Sequence, residues 1–334
     1  MNLSNKENEF KKILNGKSFS NNKKKSKIFF APINIALIKY WGKKDEDINI
    51  PMTTSISFSS RNLGTKTQIF LAKKDEIILN NLCIDGVFFN RAFEFINLFR
   101  NVLNIKCKLK IITYNNIPTA SGLASSASGF AALTLALNDF FSLNLTPTEL
   151  SELARIGSGS ACRSIFTRQR FVIWYNRFAK PFEFKHELRK ITKNMRAVVI
   201  VLDKKQKKIS SREAMNITKM HWLKNKNNIY GKWLQQSKKD ILSLKNVKNW
   251  KDFGEIIEKN SLLMHEAICE AGINYLSSKT FKILNFVSMC RKNGLFVYAT
   301  IDAGSNIVMV YQKGDEKKIK NALSNIKNAE ILYF

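Results

Sequence analysis

The chain has 334 residues, 45% of them hydrophobic, with 55 Lys and Arg against 26 Asp and Glu, a formal net charge of +29 and a pI near 9.9. That length supports a sizeable core in one large domain or two lobes, while five scattered Cys without C-x-x-C spacing argue against a disulfide framework and a cysteine zinc site. Lysine is spread over nearly every polar segment, often beside Asn, which reads as compositional bias rather than a nucleic-acid surface; the expected partners are small anions, with no specific nucleic acid and no membrane.

No apolar run approaches the roughly 20 residues of a membrane span, and no signal-peptide core opens the chain, so a reducing cytoplasm is the expected setting. Residues 1–25 are polar and basic apart from Phe10, Ile13 and Leu14, and read as a loosely ordered extension. The stretch KIFFAPINIALIKYWGK, residues 27–43, begins as a strand and is expected to break at Pro32. Asn34, Lys39, Tyr40 and Lys43 put polar groups into an otherwise apolar run, as a site wall does; the alternative is a strand edge whose lysines snorkel to solvent. Residues 53–60 alternate hydroxyl and apolar side chains like a strand, residues 65–72 and 77–89 continue as strands, 93–104 read as an amphipathic helix, and 108–114 as another strand.

The next run, NNIPTASGLASSASGFAALTLAL at 115–137, combines a loop, a helix start near residue 123 or 124, and small hydroxyl residues. Ser125, Ser126 and Ser128 fall in the first turns, where unpaired backbone N–H groups and the helix dipole favour a phosphate. The bland alternative is a Ser/Ala-rich helix packed closely on a sheet. No Lys follows the glycine, so this is not a Walker A loop. Thr146-Pro-Thr-Glu opens a further helix with a capping-box start. It leads into ARIGSGSACRSIF, where Gly157 and Gly159 permit close backbone approach, Ser158 and Ser160 offer hydroxyls, and Arg163 offers a fork for a carboxylate, a phosphate or a structural ion pair. Cys162 reads as a small packing residue. Residues 196–202 are a strand, and Lys204, Lys205, Lys207 and Lys208 form a basic loop before Ser210, Ser211 and Arg212. Residues 213–262 and 279–292 are helical, 295–301 and 307–311 are strands around Asp302-Ala-Gly-Ser-Asn306, and 317–334 hold a short helix and a last strand. Asp302 is either a turn cap or an acid at a strand end.

APINIALIKYWGKKD, NNIPTASGLASSASGFAAL and RIGSGSACRSIF, followed by KKISSREAMNIT, LMHE and TIDAGSN, closely resemble the diphosphomevalonate decarboxylases of the GHMP kinase superfamily over roughly residues 27–332. The resemblance implies an α+β, two-lobed GHMP kinase fold, with a ribosomal protein S5 domain 2-like N-terminal lobe at 26–192 and an α/β C-terminal lobe at 193–334. It implies ATP and Mg²⁺ as cofactors, mevalonate 5-diphosphate as substrate, decarboxylation through transient 3-phosphorylation, and a homodimer. Asp302 would be the base, Arg163 the carboxylate clamp and Lys39 their neighbour. Tyr40, Lys43, Ser158, Gly159, Ser160, Arg163, Arg212 and Met215 would hold substrate. Ser121, Gly122, Leu123, Ala124, Ser125, Ser126, Ser128 and Ser211 would meet ATP, with Mg²⁺ on phosphate oxygens and no protein metal cage. Thr167-Arg-Gln-Arg170 replaces the family's usual Gly-Gly beside the substrate wall, and Ser305 replaces a usual Pro. Relatives on the same scaffold decarboxylate the 5-phosphate or only phosphorylate mevalonate, and a non-catalytic polyanion binder is a further class; the sequence leaves that choice open.

Overall fold

A computed structural model describes residues 4–20, 22–117, 125–203, 208–324, 326 and 329–333. Its first half runs α1 (Asn5–Leu14), β1 (Phe29–Ile38), β2 (Lys43–Asp45), β3 (Ile50–Pro51), β4 (Ser55–Ala72), β5 (Glu76–Leu79), β6 (Leu82–Cys83), α2 (Gly86–Leu103), β7 (Lys108–Asn115), α3 (Ser125–Phe140), α4 (Pro147–Gly157), α5 (Ala161–Ser164), β8 (Phe171–Tyr175) and β9 (Phe178–Pro181). The second half adds α6 (His186–Lys193), β10 (Met195–Val201), α7 (Ser211–Lys224), α8 (Ile229–Asn246), α9 (Trp250–Glu270), α10 (Ser278–Lys292), β11 (Tyr298–Thr300), β12 (Ile307–Gln312), α11 (Glu316–Leu323) and β13 (Glu330–Tyr333). This is the α+β class.

The larger sheet is built on β4, whose two expected segments fuse into one strand because each part of it finds a partner. β1 pairs along most of its length, β7 along residues 65–72 and β8 along 55–58. Pro32 does not break β1. The missing N–H falls at a register shift between Pro32 and Asn34, so the strand runs on to Ile38 and sets Asn34 opposite Ser59. Helix α3 lies against β4 and β1, with Ala127, Ala131, Ala132 and Ala136 fully buried; these small side chains let helix and sheet approach closely. The predicted capping box at Thr146 is present, with Thr146 accepting from Glu149 N–H.

The smaller sheet is antiparallel in the order β11-β12-β10-β13. One apolar cluster joins Ile33, Ile35 and Phe58 of the first half to Val199, Phe253, Tyr298 and Val310 of the second. The two halves therefore share a core.

Two further expectations fail. The strand proposed for 77–89 stops at Cys83, and the chain is helical from Gly86. Gly86 takes a left-handed φ of 66° at the turn, and Phe89, which reads as β-prone, packs from the new helix onto the core. Nor do residues 4–14, placed in a loose extension by the sequence, hang free. Ser4 caps α1, Phe10 and Leu14 are 0% and 4% exposed, and Phe10 meets Phe95 and Phe99 edge-on at 5.6 and 5.0 Å. Glu9 pairs with Arg177, and Asn5 donates to Asp47 at 3.0 Å. The i, i+3, i+4 spacing of Phe10, Ile13 and Leu14 outweighs the polar composition around it. Among the described residues no helix is long and apolar enough to cross a membrane.

Phe10→Ala is expected to cost about 3–5 kcal/mol in a denaturant titration. A loss below about 1 kcal/mol would show that α1 is not part of the cooperative unit.

Candidate active site

β1 and β11 end beneath a cavity of about 510 Å³ that is lined from both halves of the chain. Just past their ends, Lys39 and Asp302 form an ion pair, Nζ to Oδ1 at 2.6 Å, with side chains 1% and 24% exposed. Burial pushes the Lys39 ammonium below its ordinary pKa, and the charge of Asp302 opposes that shift. His265 on α9 closes the pair from behind, its Nε2 3.1 Å from the Asp302 carbonyl oxygen.

Arg163 projects from the short helix α5. Its Nε donates to Asn34 Oδ1 at 2.8 Å and its Nη1 to Ser55 Oγ at 2.7 Å, and its guanidinium lies 5.8 Å from the Trp174 ring centre. Asn34 is itself fixed, donating to Ser164 Oγ at 2.6 Å and to the Ser160 carbonyl at 3.2 Å. Arg163 is buried and has no carboxylate partner among the described residues, so the structural ion pair held open from the sequence is absent there and the guanidinium lines the cavity. Tyr40 tilts over Trp174 at 4.5 Å, and its buried hydroxyl finds no partner among the described residues. A Cβ at residue 159 would lie 2.7 Å from that hydroxyl, so Gly159 is required for the ring to sit there. Burial holds the Cys162 thiol up at about 12, as suits a packing residue.

A second group of cations rims the cavity. Burial, then the charge of Arg212, brings Lys43 down to about 8; Arg91 is lowered by burial and then by Arg212. Glu46 opposes the Lys43 shift, yet the balance leaves Lys43, Arg91 and Arg212 repelling one another across a space suited to a multiply charged anion. Ser125 and Ser126 reach this cavity, with Ser126 Oγ 3.4 Å from Ser158 Oγ. Ser158, Gly159, Ser160, Ser211 and Met215 line it too. An apolar cleft of about 80 Å³ adjoins Ser125 and Ser126, walled by Ile77, Leu79, Phe88, Ile111 and Phe130.

Ser128 is not among the lining residues. It is buried against the sheet, 2.7 Å from Thr65 Oγ1 and bonded to the Ser125 carbonyl at 3.2 Å, the close-packing role that small helix residues also fill. Ser121, Gly122, Leu123 and Ala124, with Lys204, Lys205 and Lys207, lie outside the described residues. Thr167-Arg-Gln-Arg170 does not line the cavity. Arg170 and Arg196 instead donate to the same Met195 carbonyl, and the Arg170 carbonyl accepts from Ser59, so the segment ties the two sheets together. Arg91 falls between the strand expected for 77–89 and the helix expected from 93, and so carries no sequence signal; Asn260 and Ser261 carry none because polar residues inside a helix break no period, and His265 stands in the LMHE motif without an assigned role.

Residues 31–180 match the family described as diphosphomevalonate decarboxylase-like N-terminal domain, and 197–331 match the mevalonate 5-diphosphate decarboxylase C-terminal domain. The chain is 31% identical over 326 residues to the diphosphomevalonate decarboxylase of Candida albicans, covering 88% of this chain and 86% of that one. It is similar to the crystal structure of mevalonate diphosphate decarboxylase from Staphylococcus aureus, with TM-score 0.83, 33% identity and coverage of 93% and 95%. It is also similar to MDDEF in complex with MVAPP, AMPPCP and magnesium, with TM-score 0.80, 32% identity and coverage of 93% and 98%.

Burial, and then the charge of Lys39, lowers His265 from 6.5 to about 4. The folded state therefore binds fewer protons than the unfolded state between those values, so this contribution is full above pH 6.5 and is lost as pH falls towards 4. Between pH 7 and 4 the native chain should lose on the order of 3 kcal/mol more stability than His265→Gln in denaturant titrations. Parallel stability curves would contradict a buried neutral imidazole.

Proposed function

The chain belongs to the diphosphomevalonate decarboxylase family, and we propose that this cavity is where it converts (R)-mevalonate 5-diphosphate, with ATP and Mg²⁺, into isopentenyl diphosphate, ADP, phosphate and carbon dioxide. The observation that carries the assignment of residues is Arg163, a buried guanidinium without a carboxylate of its own among the described residues, in the same cavity as the Lys39–Asp302 pair.

Asp302 accepts the proton of the 3-hydroxyl, a role that typically contributes about 10²- to 10⁴-fold in rate. Lys39 keeps that carboxylate oriented and balances its charge. The 3-oxygen then bonds to the terminal phosphorus of ATP as the bond to ADP breaks. Arg163 grips the substrate carboxylate, so that the electrons of the C1–C2 bond can form the C2–C3 double bond while the 3-phosphate leaves and carbon dioxide is released. Lys43, Arg212 and Arg91 hold the diphosphate, with Tyr40, Ser158, Gly159, Ser160 and Met215 shaping the wall. The unpartnered Tyr40 hydroxyl supplies a further donor for an anionic oxygen.

Ser125, Ser126 and Ser211 receive the ATP phosphates, and the adjoining apolar cleft, with its mostly aliphatic lining and Phe88 and Phe130, suits a purine. Mg²⁺, when bound, offsets phosphate charge. These hydroxyls can share its shell with phosphate oxygens, and no group of three His, Cys, Asp or Glu suited to a metal occurs among the described residues. The same reading carries a cytoplasmic homodimer.

The wild type should release ADP and carbon dioxide in equal amounts on the 5-diphosphate, followed in one coupled assay. ADP without carbon dioxide would indicate a kinase, and preference for the 5-phosphate would reassign the substrate. Because free Lys43 titrates near 8, KM for the 5-diphosphate should rise as pH passes that value, and Lys43→Arg should flatten the rise. An identical pH profile in the variant would remove Lys43 from the diphosphate site.

A further inference from the structure

We propose that His265, with Ser261 and Asn260 beside it on α9, is a positioning residue that holds the main chain under the Lys39–Asp302 pair and so sets the rate of the proton-transfer step. The inference rests on the assignment of Asp302 as the base. Both members of the pair lie beyond the reach of their own strands: β1 ends at Ile38 and β11 at Thr300. Past those ends no ladder fixes the backbone, and side chains of α9 take over.

Asn260, 0% exposed, accepts the Lys39 N–H on Oδ1 at 2.9 Å. Its amide cannot turn round, because Nδ2 donates to Ser237 Oγ at 3.0 Å and to Asp240 Oδ2 at 2.7 Å on α8. Ser261 Oγ accepts the Ile301 N–H at 2.8 Å and donates to the Ile301 carbonyl at 3.1 Å. His265, one helical turn further, stands 3.1 Å from the Asp302 carbonyl. A carbonyl only accepts, so Nε2 carries the hydrogen; the neutral ring has no second N–H, and its donor is committed to Asp302. Met264 on the same helix lines the cavity, so α9 connects the reaction space directly to both strand ends. One rigid helix thus spaces the backbones of Lys39 and Asp302, and a displacement of about 1 Å there would misplace the base enough to matter.

His265→Asn and His265→Gln separate this role from general stability. Asn carries its amide where Nδ1 lies, short of the Asp302 carbonyl, whereas Gln extends an N–H to about the place of Nε2. With mevalonate 5-diphosphate and ATP, His265→Asn should lower kcat roughly 10- to 100-fold with both KM values within about twofold, and Gln should stay within about threefold of wild type. Unchanged kcat in the Asn variant, equal losses in Asn and Gln, or a loss confined to KM would overturn the proposal. Should the Asn variant not fold, Ser261→Ala removes the neighbouring tie and carries the same expectation; an unchanged kcat there overturns it. A wild type that releases ADP but no carbon dioxide contradicts the assigned reaction rather than the positioning role, which is then read from the ADP rates of the same variants.

Discussion

Lys39 is an ammonium group with 1% of its side chain exposed, answered by one carboxylate 2.6 Å away. Such a pair gains little net stability, because desolvation offsets most of the attraction, yet losing either partner leaves a charge buried without compensation. The two residues come from opposite ends of the chain, 263 positions apart. Their contact therefore demands that the two halves meet in one geometry. The shared apolar cluster beneath the cavity supplies that demand from below, and the Arg170 bond to the Met195 carbonyl supplies it between the two sheets. The fold can be understood as a way of bringing two strand ends together and covering them.

Around that pair the charges are deliberately uneven. The net charge of +29 is mostly a surface bias and says little about chemistry. The informative cations are few and sit where solvent does not reach: Arg163 turned to the cavity by Asn34 and Ser55, and Lys43 lowered by burial and by Arg212. A substrate with a carboxylate at one end and a diphosphate at the other matches those two poles. In the proposed reaction, its length keeps the 3-hydroxyl over Asp302.

Much of this was legible in the sequence because the relevant signals are local. The Thr146 capping box, the strand along β4, and the small residues after Ser125 report on neighbouring backbone, and each appears in the structure. The errors are equally physical. Composition hid α1, whose helix rests on three apolar residues in a polar run. Aromatic residues near Phe89 imitated a strand, and Pro32 was tolerated because a register shift absorbed its missing donor. Ser128 shares the chemistry of Ser125 and Ser126 but faces the sheet, a matter of helical phase. Thr167-Arg-Gln-Arg170 follows Ser158–Arg163 in sequence but does not line the cavity. Asn260, Ser261 and His265 are the hardest class, since their importance lies wholly in which distant main chain they touch.

The central claim is that Lys39 and Asp302 act as one unit, and a double-mutant cycle on kcat tests it most directly. Lys39→Met and Asp302→Asn should each lower the rate of carbon dioxide release on mevalonate 5-diphosphate by roughly 10²- to 10⁴-fold, and the double variant should lose little more than the worse single one. Losses that multiply across the two positions would contradict the account, because they would mean that the lysine and the aspartate contribute independently.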